Sequence, residues 1–162
     1  MYKRQLNVLA PGYRTPDDFA LLPGAVDAVA RLSAAGCAIV VVTNQQGLAT
    51  GRLTWAQLSA VNARLIAEVE AAGGRIDDVR LCPHAADTCV CRKPAPGLLC
   101  ALFDENPHVS RERSVMVGDA ETDAAAATAA RVAFMRCEPT IGLAGVVDSL
   151  VDDETGTMPS RW

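Results

Sequence analysis

Short apolar runs alternate with amphipathic segments along most of the chain. Four apolar runs bounded by turn-forming residues predict β-strands, and they cover residues 38–42, 79–82, 114–117 and 132–135. Segments with helical spacing or helix-start signals predict four helices: residues 24–35, a helix from Thr54 to about Gly73, one opening at Pro96-Gly97, and residues 122–130. Thr54 and Gln57 have the spacing of a capping box.

This alternation of strands and helices is typical of a parallel sheet covered by helices on both faces. We therefore predict an α/β fold with a three-layer, Rossmann-like parallel sheet. A single domain is expected over residues 1–151, followed by a loosely ordered tail at residues 152–162. Because ligands bind at the carboxyl ends of such strands, chemistry is expected at Thr43, in the loop of residues 82–93, and at Gly118-Asp119.

Composition and charge narrow the range of partners. The chain has 162 residues, of which 50% are hydrophobic, and this suffices for one buried core. A net charge of -4 without an extended basic run argues against a nucleic acid partner. The longest aliphatic stretch, residues 38–42, is far shorter than the ~18 residues of a membrane span, and residues 1–5 do not begin a secretory signal. We predict a cytoplasmic chain without membrane contact, and we expect a monomer.

Three cysteines and one histidine lie close together after the second predicted strand, at Cys82, His84, Cys89 and Cys91. Zinc takes such a set in closed, tetrahedral structural sites, where no position remains for substrate. The metal is therefore expected to stabilise the loop and not to react; ordinary polar loop residues or a disulfide are the alternatives. The other cysteines stand singly in apolar surroundings and are expected to be small core residues: Cys37, Cys100 and Cys137.

Polar side chains that suit a phosphate follow the first predicted strand and the cysteine cluster. Thr43 and Asn44 can donate hydrogen bonds to phosphate oxygens, although both residue types are also common turn formers. Arg92 and Lys93 directly follow the last cysteine of the cluster, so a clamped loop would fix two cations at the edge of the site. A solvated surface lysine is the alternative for Lys93.

Carboxylates follow the third predicted strand. Gly118 allows a tight exit from the strand, and Asp119 and Asp123 are spaced so that they can face one cavity and bind a hard cation such as Mg²⁺. Acidic residues that complement the dipole of a helix N-terminus are the alternative.

Taken together, these motifs resemble the haloacid dehalogenase superfamily, in which a strand-end threonine, a later lysine, a Gly-Asp pair and a further aspartate occur in this order. Here they are Thr43, Lys93, Gly118-Asp119 and Asp123. The sequences Thr-Asn-Gln at residues 43–45, Arg-Lys-Pro-x-Pro-Gly at residues 92–97 and the cysteine cluster resemble the heptose bisphosphate phosphatases of subfamily IIIA, over about residues 6–135. The histidinol phosphatases share most of these motifs but fit Pro96-Gly97 less well.

The resemblance implies a magnesium-dependent phosphatase that removes the 7-phosphate of D-glycero-D-manno-heptose 1,7-bisphosphate, a small phosphorylated sugar. It implies that phosphate and substrate are bound by Thr43, Asn44, Gln45, Arg92 and Lys93. It implies that Mg²⁺ is bound by Asp119 and Asp123. It implies that a structural zinc ion is bound by Cys82, His84, Cys89 and Cys91. Mg²⁺ and Zn²⁺ are the implied cofactors.

In this family the first, central strand ends in Asp-x-Asp-Gly. The first aspartate takes the phosphoryl group, and the second acts as acid and base. Counting back from Leu6-Asn7 puts Met1 and Lys3 at these two positions, and neither can act as an aspartate. We therefore expect this chain to be inactive and to lack the central strand, and we interpret it as truncated at its amino end. In-frame DNA that encodes no such strand upstream of Leu6 would contradict this interpretation.

Two other functions stay open. The chain can derive from a phosphatase for histidinol phosphate or another small phosphate monoester. It can also be a non-catalytic, zinc-stabilised module that binds a sugar phosphate.

Overall fold

The computed structural model describes residues 19–138 and 142–151. Met1, Lys3 and the tail of residues 152–162 lie outside these ranges. Within them the elements follow in the order α1 (Ala25–Ala34), β1 (Val40–Asn44), α2 (Trp55–Ala71), β2 (Asp78–Cys82), α3 (Gly97–Glu105), β3 (Val115–Gly118), α4 (Glu121–Ala130), β4 (Ala133–Arg136) and α5 (Gly142–Val151). The α/β class and all four predicted strands are confirmed, with bounds displaced by at most two residues.

The described strands form two parallel pairs. β1 pairs with β2 in a register that sets Thr43 opposite Leu81 and Asn44 opposite Cys82. β3 pairs with β4, and Gly118 lies opposite Arg136. No backbone ladder joins the two pairs within the described ranges. A cavity of about 850 Å³ is lined by residues of both β1 and β3.

Helices pack on both faces of the strands. Because side chains alternate along a strand, Val41 packs with α1, α2 and α5, while the adjacent Val42 packs with α3 and α4. The side chains of β3 alternate in the same way: Val117 packs with α1, α2 and α5, and Met116 packs with α3 and α4. This is the three-layer arrangement that the alternating pattern predicted.

α2 begins as the sequence predicted. The Thr54 hydroxyl accepts a hydrogen bond from the backbone N–H of Gln57, and the Gln57 side chain accepts one from the backbone N–H of Thr54. α5 was not predicted. Its apolar residues Leu143, Val146 and Val147 are buried against the α1 face. They follow the helical i, i+3, i+4 spacing, so the sequence carried a signal for this helix that was missed.

No helix in residues 19–138 and 142–151 is both long enough and apolar enough to cross a bilayer.

The buried side of α2 packs into the hydrophobic core, and Leu65 on this side is fully buried. Leu65→Ala is expected to lower the free energy of unfolding by about 2–5 kcal/mol, because it removes buried methyl groups and leaves a cavity. Chemical denaturation monitored by circular dichroism measures this loss. Trp55→Ala is the control, because the Trp55 side chain is 61% exposed and its loss should change stability by about 0.5 kcal/mol or less. Equal losses in both variants would contradict this packing.

Candidate functional site

The carboxyl end of β1 carries a buried set of hydrogen-bonding side chains. Thr43 and Gln45 are both buried, and the Gln45 amide donates to the Thr43 hydroxyl at 3.1 Å. The backbone N–H of Gln45 donates to the Cys82 carbonyl oxygen at 2.7 Å, which continues the pairing of β1 and β2 past the last strand residue. This pairing brings the predicted phosphate-binding residues beside the start of the cysteine-rich loop.

Asn44 joins β1 to the residues that follow the cysteine-rich loop. Its side-chain amide donates to the Lys93 carbonyl oxygen at 3.0 Å, and its amide oxygen accepts from the Lys93 backbone N–H at 3.1 Å. A turn former would bond to its own neighbours, whereas these bonds reach across 49 residues. Asn44 therefore fixes where Lys93 enters the site.

Lys93 is a buried cation and not a surface lysine. Its ammonium donates to the Val42 carbonyl oxygen at 2.8 Å and forms an ion pair with Asp123 at 2.9 Å. The two charged side chains are 1% and 0% exposed. Removing charges from water costs several kcal/mol for each ion, and only close pairing offsets this cost. The pair thus brings together the end of β1, the loop after β2 and the first turn of α4.

Gly118 makes this approach possible. A β-carbon added at Gly118 would lie 2.6 Å from Asp123 Cβ and Oδ2, so no larger residue fits without displacing the aspartate. Asp123 also accepts a hydrogen bond from the backbone N–H of Ala120 at 3.3 Å. The glycine predicted for a tight strand exit is therefore required by side-chain packing against Asp123.

Asp119 follows Gly118 and offers an unused acceptor. Its Oδ1 atom is buried and has no hydrogen-bond partner in the described part of the chain. Arg136, across from Gly118 on β4, donates to the Asp119 carbonyl oxygen at 2.9 Å and pairs with the Glu121 carboxylate. Sequence reasoning missed Arg136, because its position beside Asp119 depends on the β3–β4 register. An unpartnered carboxylate oxygen suits a cation, which is the chemistry predicted for Asp119.

The four predicted zinc ligands form one cluster. Their ligand atoms all lie within 4.8 Å of one another. Cys91 Sγ is 3.3 Å from both Cys82 Sγ and Cys89 Sγ, and His84 Nδ1 is 3.3 Å from Cys91 Sγ. Such spacing fits donors arranged around one tetrahedral ion with Zn–S bonds of about 2.3 Å. All six cysteines of the chain fall in the described ranges and are free thiols, so the disulfide alternative is wrong.

The thiols of the cluster differ in their readiness to ionise. Burial raises the pKa of Cys91 to about 12, and its hydrogen bonds with Cys82 and Cys89 add to the effect. Desolvation also opposes ionisation of Cys89, but hydrogen bonds from Cys91 and from the Arg92 backbone lower the pKa of Cys89 to about 6. Because a metal ligand must be a thiolate, the lowered pKa of Cys89 favours coordination.

The cysteine-rich loop is packed against the start of α3. The backbone N–H of Gly97 donates to the Val90 carbonyl oxygen at 3.1 Å. A β-carbon at Gly97 would lie 2.3 Å from this oxygen, so the contact requires glycine. An ordered loop therefore helps to position both the start of α3 and the two residues that follow Cys91, Arg92 and Lys93.

The Arg92 side chain contacts different residues from the Lys93 ammonium. Its Nη2 atom donates to Gln46 Oε1 at 3.0 Å, whereas Nη1 is buried without a hydrogen-bond partner among the described residues. Gln46 was not singled out in the sequence. Its side-chain contact joins positions 46 residues apart, and no local pattern indicates it.

The three remaining cysteines behave as core residues. Cys137 is buried, and Cys37 and Cys100 are half-buried against the two faces of the core. Burial raises the pKa of Cys137 to about 11, and the nearby charges of Asp119 and Glu138 add to this rise. Cys137 therefore stays a neutral thiol near the site.

Comparison with known proteins gives a consistent result. The chain matches the Polynucleotide kinase 3 phosphatase family over residues 7–138. It is 43% identical over 117 residues to the D-glycero-beta-D-manno-heptose-1,7-bisphosphate 7-phosphatase of Pseudomonas putida, covering 72% of this chain and 66% of that protein. The protein of the same name from Pseudomonas aeruginosa is 38% identical over 129 residues, covering 79% of this chain and 69% of that protein.

A solved structure shares the fold. The crystal structure of D,D-heptose 1,7-bisphosphate phosphatase from B. bronchiseptica, complexed with magnesium and phosphate, superposes with a TM-score of 0.86. It is 29% identical in sequence, with 94% of this chain and 96% of that chain covered. In sequence alone, the matched region spans about two thirds of the Pseudomonas putida relative, at 66% of its length, and 48% of a relative from Bordetella bronchiseptica. The chain therefore belongs to the Polynucleotide kinase 3 phosphatase family, within the haloacid dehalogenase superfamily and close to its heptose bisphosphate phosphatases.

Proposed function

We propose that this chain carries the phosphate- and metal-binding part of a magnesium-dependent sugar-phosphate phosphatase. The proposed substrate is D-glycero-D-manno-heptose 1,7-bisphosphate, cleaved at its 7-phosphate. The observation that carries the proposal is the buried Lys93 ammonium beside Asp123 and the end of β1. A buried cation at the carboxyl ends of parallel strands suits an anionic ligand. The names of the relatives in both Pseudomonas species support the substrate.

The residues divide the work of binding. Lys93 supplies positive charge for the reacting phosphate, and the Thr43 hydroxyl supplies a hydrogen bond. Asn44 holds the Lys93 backbone from both sides, so it contributes by orienting the cation. Gln45 bonds to Thr43 and fixes the direction of its hydroxyl. Arg92 binds the part of the substrate that is remote from the reacting phosphate.

Magnesium is proposed at Asp119 and Asp123. The fit rests on the buried Asp119 Oδ1, which lacks a partner in the described residues, and on the neighbouring Asp123 carboxylate. When bound there, Mg²⁺ would neutralise charge that develops on the transferred phosphoryl group. Asp123 also holds the Lys93 ammonium, so this carboxylate links the cation of the protein to the proposed metal site.

Zinc is proposed at Cys82, His84, Cys89 and Cys91, where it would order the loop and take no part in the reaction. The set provides four donors and leaves no open position, which is the pattern of a structural site. Its role would be to hold Arg92 and Lys93, the two residues that directly follow Cys91.

Turnover is not expected from the 162-residue chain. Met1 and Lys3, which lie outside the described residues, occupy the positions of the nucleophilic and acid/base aspartates in the family resemblance. A thioether offers no oxygen for attack on phosphorus, and an ammonium would repel a magnesium ion. These two residues favour a second candidate function, in which the chain binds a sugar phosphate without cleaving it.

The cellular location, the monomeric state and the single domain over residues 1–151 stay predictions from the sequence.

Zinc content tests the metal loop. The purified chain is expected to contain about one zinc ion, measured by inductively coupled plasma mass spectrometry, because its four donors complete a tetrahedral shell. Cys89→Ser is expected to reduce zinc content and thermal stability together. Cys100→Ser is the matched control, since Cys100 lies outside the cluster, and it should keep its zinc. A zinc-free chain that is fully folded and as stable as the zinc-loaded one would contradict the proposal.

Removing one partner of the buried ion pair tests the phosphate site. Lys93→Met is expected to lower the free energy of unfolding by about 3–5 kcal/mol, because it leaves the Asp123 carboxylate buried and unpaired. It should also abolish binding of inorganic phosphate measured by calorimetry. The double variant Lys93→Met/Asp123→Asn is expected to recover much of the stability but none of the phosphate binding. Phosphate binding that survives in a folded Lys93→Met chain would remove Lys93 from the site.

Activity assays test the catalytic proposal. The chain is expected to release no phosphate from heptose 1,7-bisphosphate in the presence of Mg²⁺. A version extended by an apolar strand that ends in Asp-x-Asp-Gly before Leu6 is expected to gain magnesium-dependent turnover, and its variant with Asn for the first aspartate should lose it. Turnover by the unextended chain would contradict the roles given to Met1 and Lys3, and equal turnover of histidinol phosphate would contradict the heptose substrate.

A further inference from the structure

The loop that follows β1 holds Gln46 in a defined place. The Gln46 carbonyl oxygen accepts hydrogen bonds from the backbone N–H of Thr50 at 3.1 Å and from the Thr50 hydroxyl at 3.3 Å. Its neighbour Gln45 is anchored to Thr43 and to the Cys82 carbonyl oxygen. Because the backbone on both sides is fixed, the half-buried Gln46 side chain can hold another group in a set direction.

The group that Gln46 holds is the Arg92 guanidinium. Gln46 Oε1 accepts from Arg92 Nη2 at 3.0 Å. Arg92 Nη1 is out of contact with solvent and has no acceptor within the described ranges. Unsatisfied, desolvated N–H groups are unfavourable, and they gain a charge-assisted hydrogen bond when an anionic oxygen comes beside them. The arrangement thus favours an anion as the missing partner of Arg92.

Arg92 and Lys93 are adjacent in sequence, but their side chains contact different parts of the protein. The Lys93 ammonium contacts the Val42 carbonyl oxygen and Asp123. The Arg92 guanidinium instead contacts the loop after β1, through Gln46. Two cations with separate contacts suit a ligand that carries two anionic groups.

We propose that Gln46 is a positioning residue that sets specificity for a second phosphate, by orienting Arg92 towards the phosphate that does not react. This inference rests on the proposed function, in which the reacting phosphate lies at Thr43 and Lys93. The neutral amide of Gln46 fixes the guanidinium without cancelling its charge. A carboxylate at this position would pair with Arg92 and compete with the second phosphate for it.

Equilibrium binding tests the proposal in the chain as it exists, because no turnover is expected to consume the ligand. Calorimetry compares heptose 1,7-bisphosphate with heptose 7-phosphate, which lacks the second phosphate. The wild-type chain is expected to bind the bisphosphate more tightly. Gln46→Leu should weaken bisphosphate binding about fivefold to tenfold, and the nearly isosteric Gln46→Glu should weaken it further. Neither change should alter binding of the 7-phosphate.

Two controls separate positioning from general effects. Ala49→Glu adds the same negative charge at an exposed position of the same loop and should leave the preference for the bisphosphate unchanged. In an Arg92→Ala background, Gln46→Leu should have no further effect, because its action passes through Arg92. Thermal unfolding of each variant verifies that it is folded.

The outcomes are distinguishable. A wild-type chain that prefers the bisphosphate, with a folded Gln46→Glu variant that keeps this preference, overturns the role of Gln46 alone. The role of Gln46 is overturned as well if Gln46→Leu weakens both esters equally or still acts without Arg92. A wild-type chain that binds the 7-phosphate as tightly as the bisphosphate overturns the second-phosphate site and leaves the proposed function standing. A chain that binds neither ester overturns both.

Discussion

The ion pair of Lys93 and Asp123 is the constraint on which the site depends. Both side chains are almost completely removed from water, and each is tolerable there only because the other lies 2.9 Å away. The lysine comes from the loop after β2, and the aspartate from the first turn of α4. The Val42 carbonyl oxygen, which also accepts from Lys93, comes from β1. Three distant segments are thereby held at one point.

A second set of contacts keeps the lysine where the ion pair needs it. Asn44 bonds the Lys93 backbone from β1, and the cysteine-rich loop precedes the lysine directly. That loop has few apolar side chains, and Val90 within it is 81% exposed, so hydrophobic burial does little to order it. Its order comes from the four clustered ligands and from the close approach of Gly97 to the Val90 carbonyl oxygen. A structural metal would thus act at a distance, by fixing a cation that it does not touch.

Sequence patterns were sufficient for the strands, for the start of α2 and for a cluster of cysteines and histidine, because each of these has a local cause. Alternating apolar runs mark buried strands, the Thr54 and Gln57 pair marks a helix start, and ligand spacing within one loop marks a metal cluster. The polar contacts between segments were beyond such patterns. The pairing of Gln46 with Arg92 and of Arg136 with the Asp119 carbonyl depends on tertiary placement. The burial of Lys93 depends on it too, so a surface lysine could not be excluded from the sequence.

The sequence pattern indicated a glycine at position 118 but not the reason why it is required. Gly118 was expected for the freedom of its backbone at a strand exit, yet the added β-carbon would collide with the Asp123 side chain. The requirement is therefore one of space between two segments, and only the fold reveals it.

The residues proposed for phosphate and metal binding hold one another in place. The cations and acceptors assigned to phosphate and metal lie on β1, the cysteine-rich loop and the β3–α4 turn, and they are held by contacts among themselves. A site whose charges are fixed in this way does not need to reorganise when an anion enters, and this property favours binding as much as catalysis. The ion pair and the loop contacts therefore maintain the geometry of the binding residues.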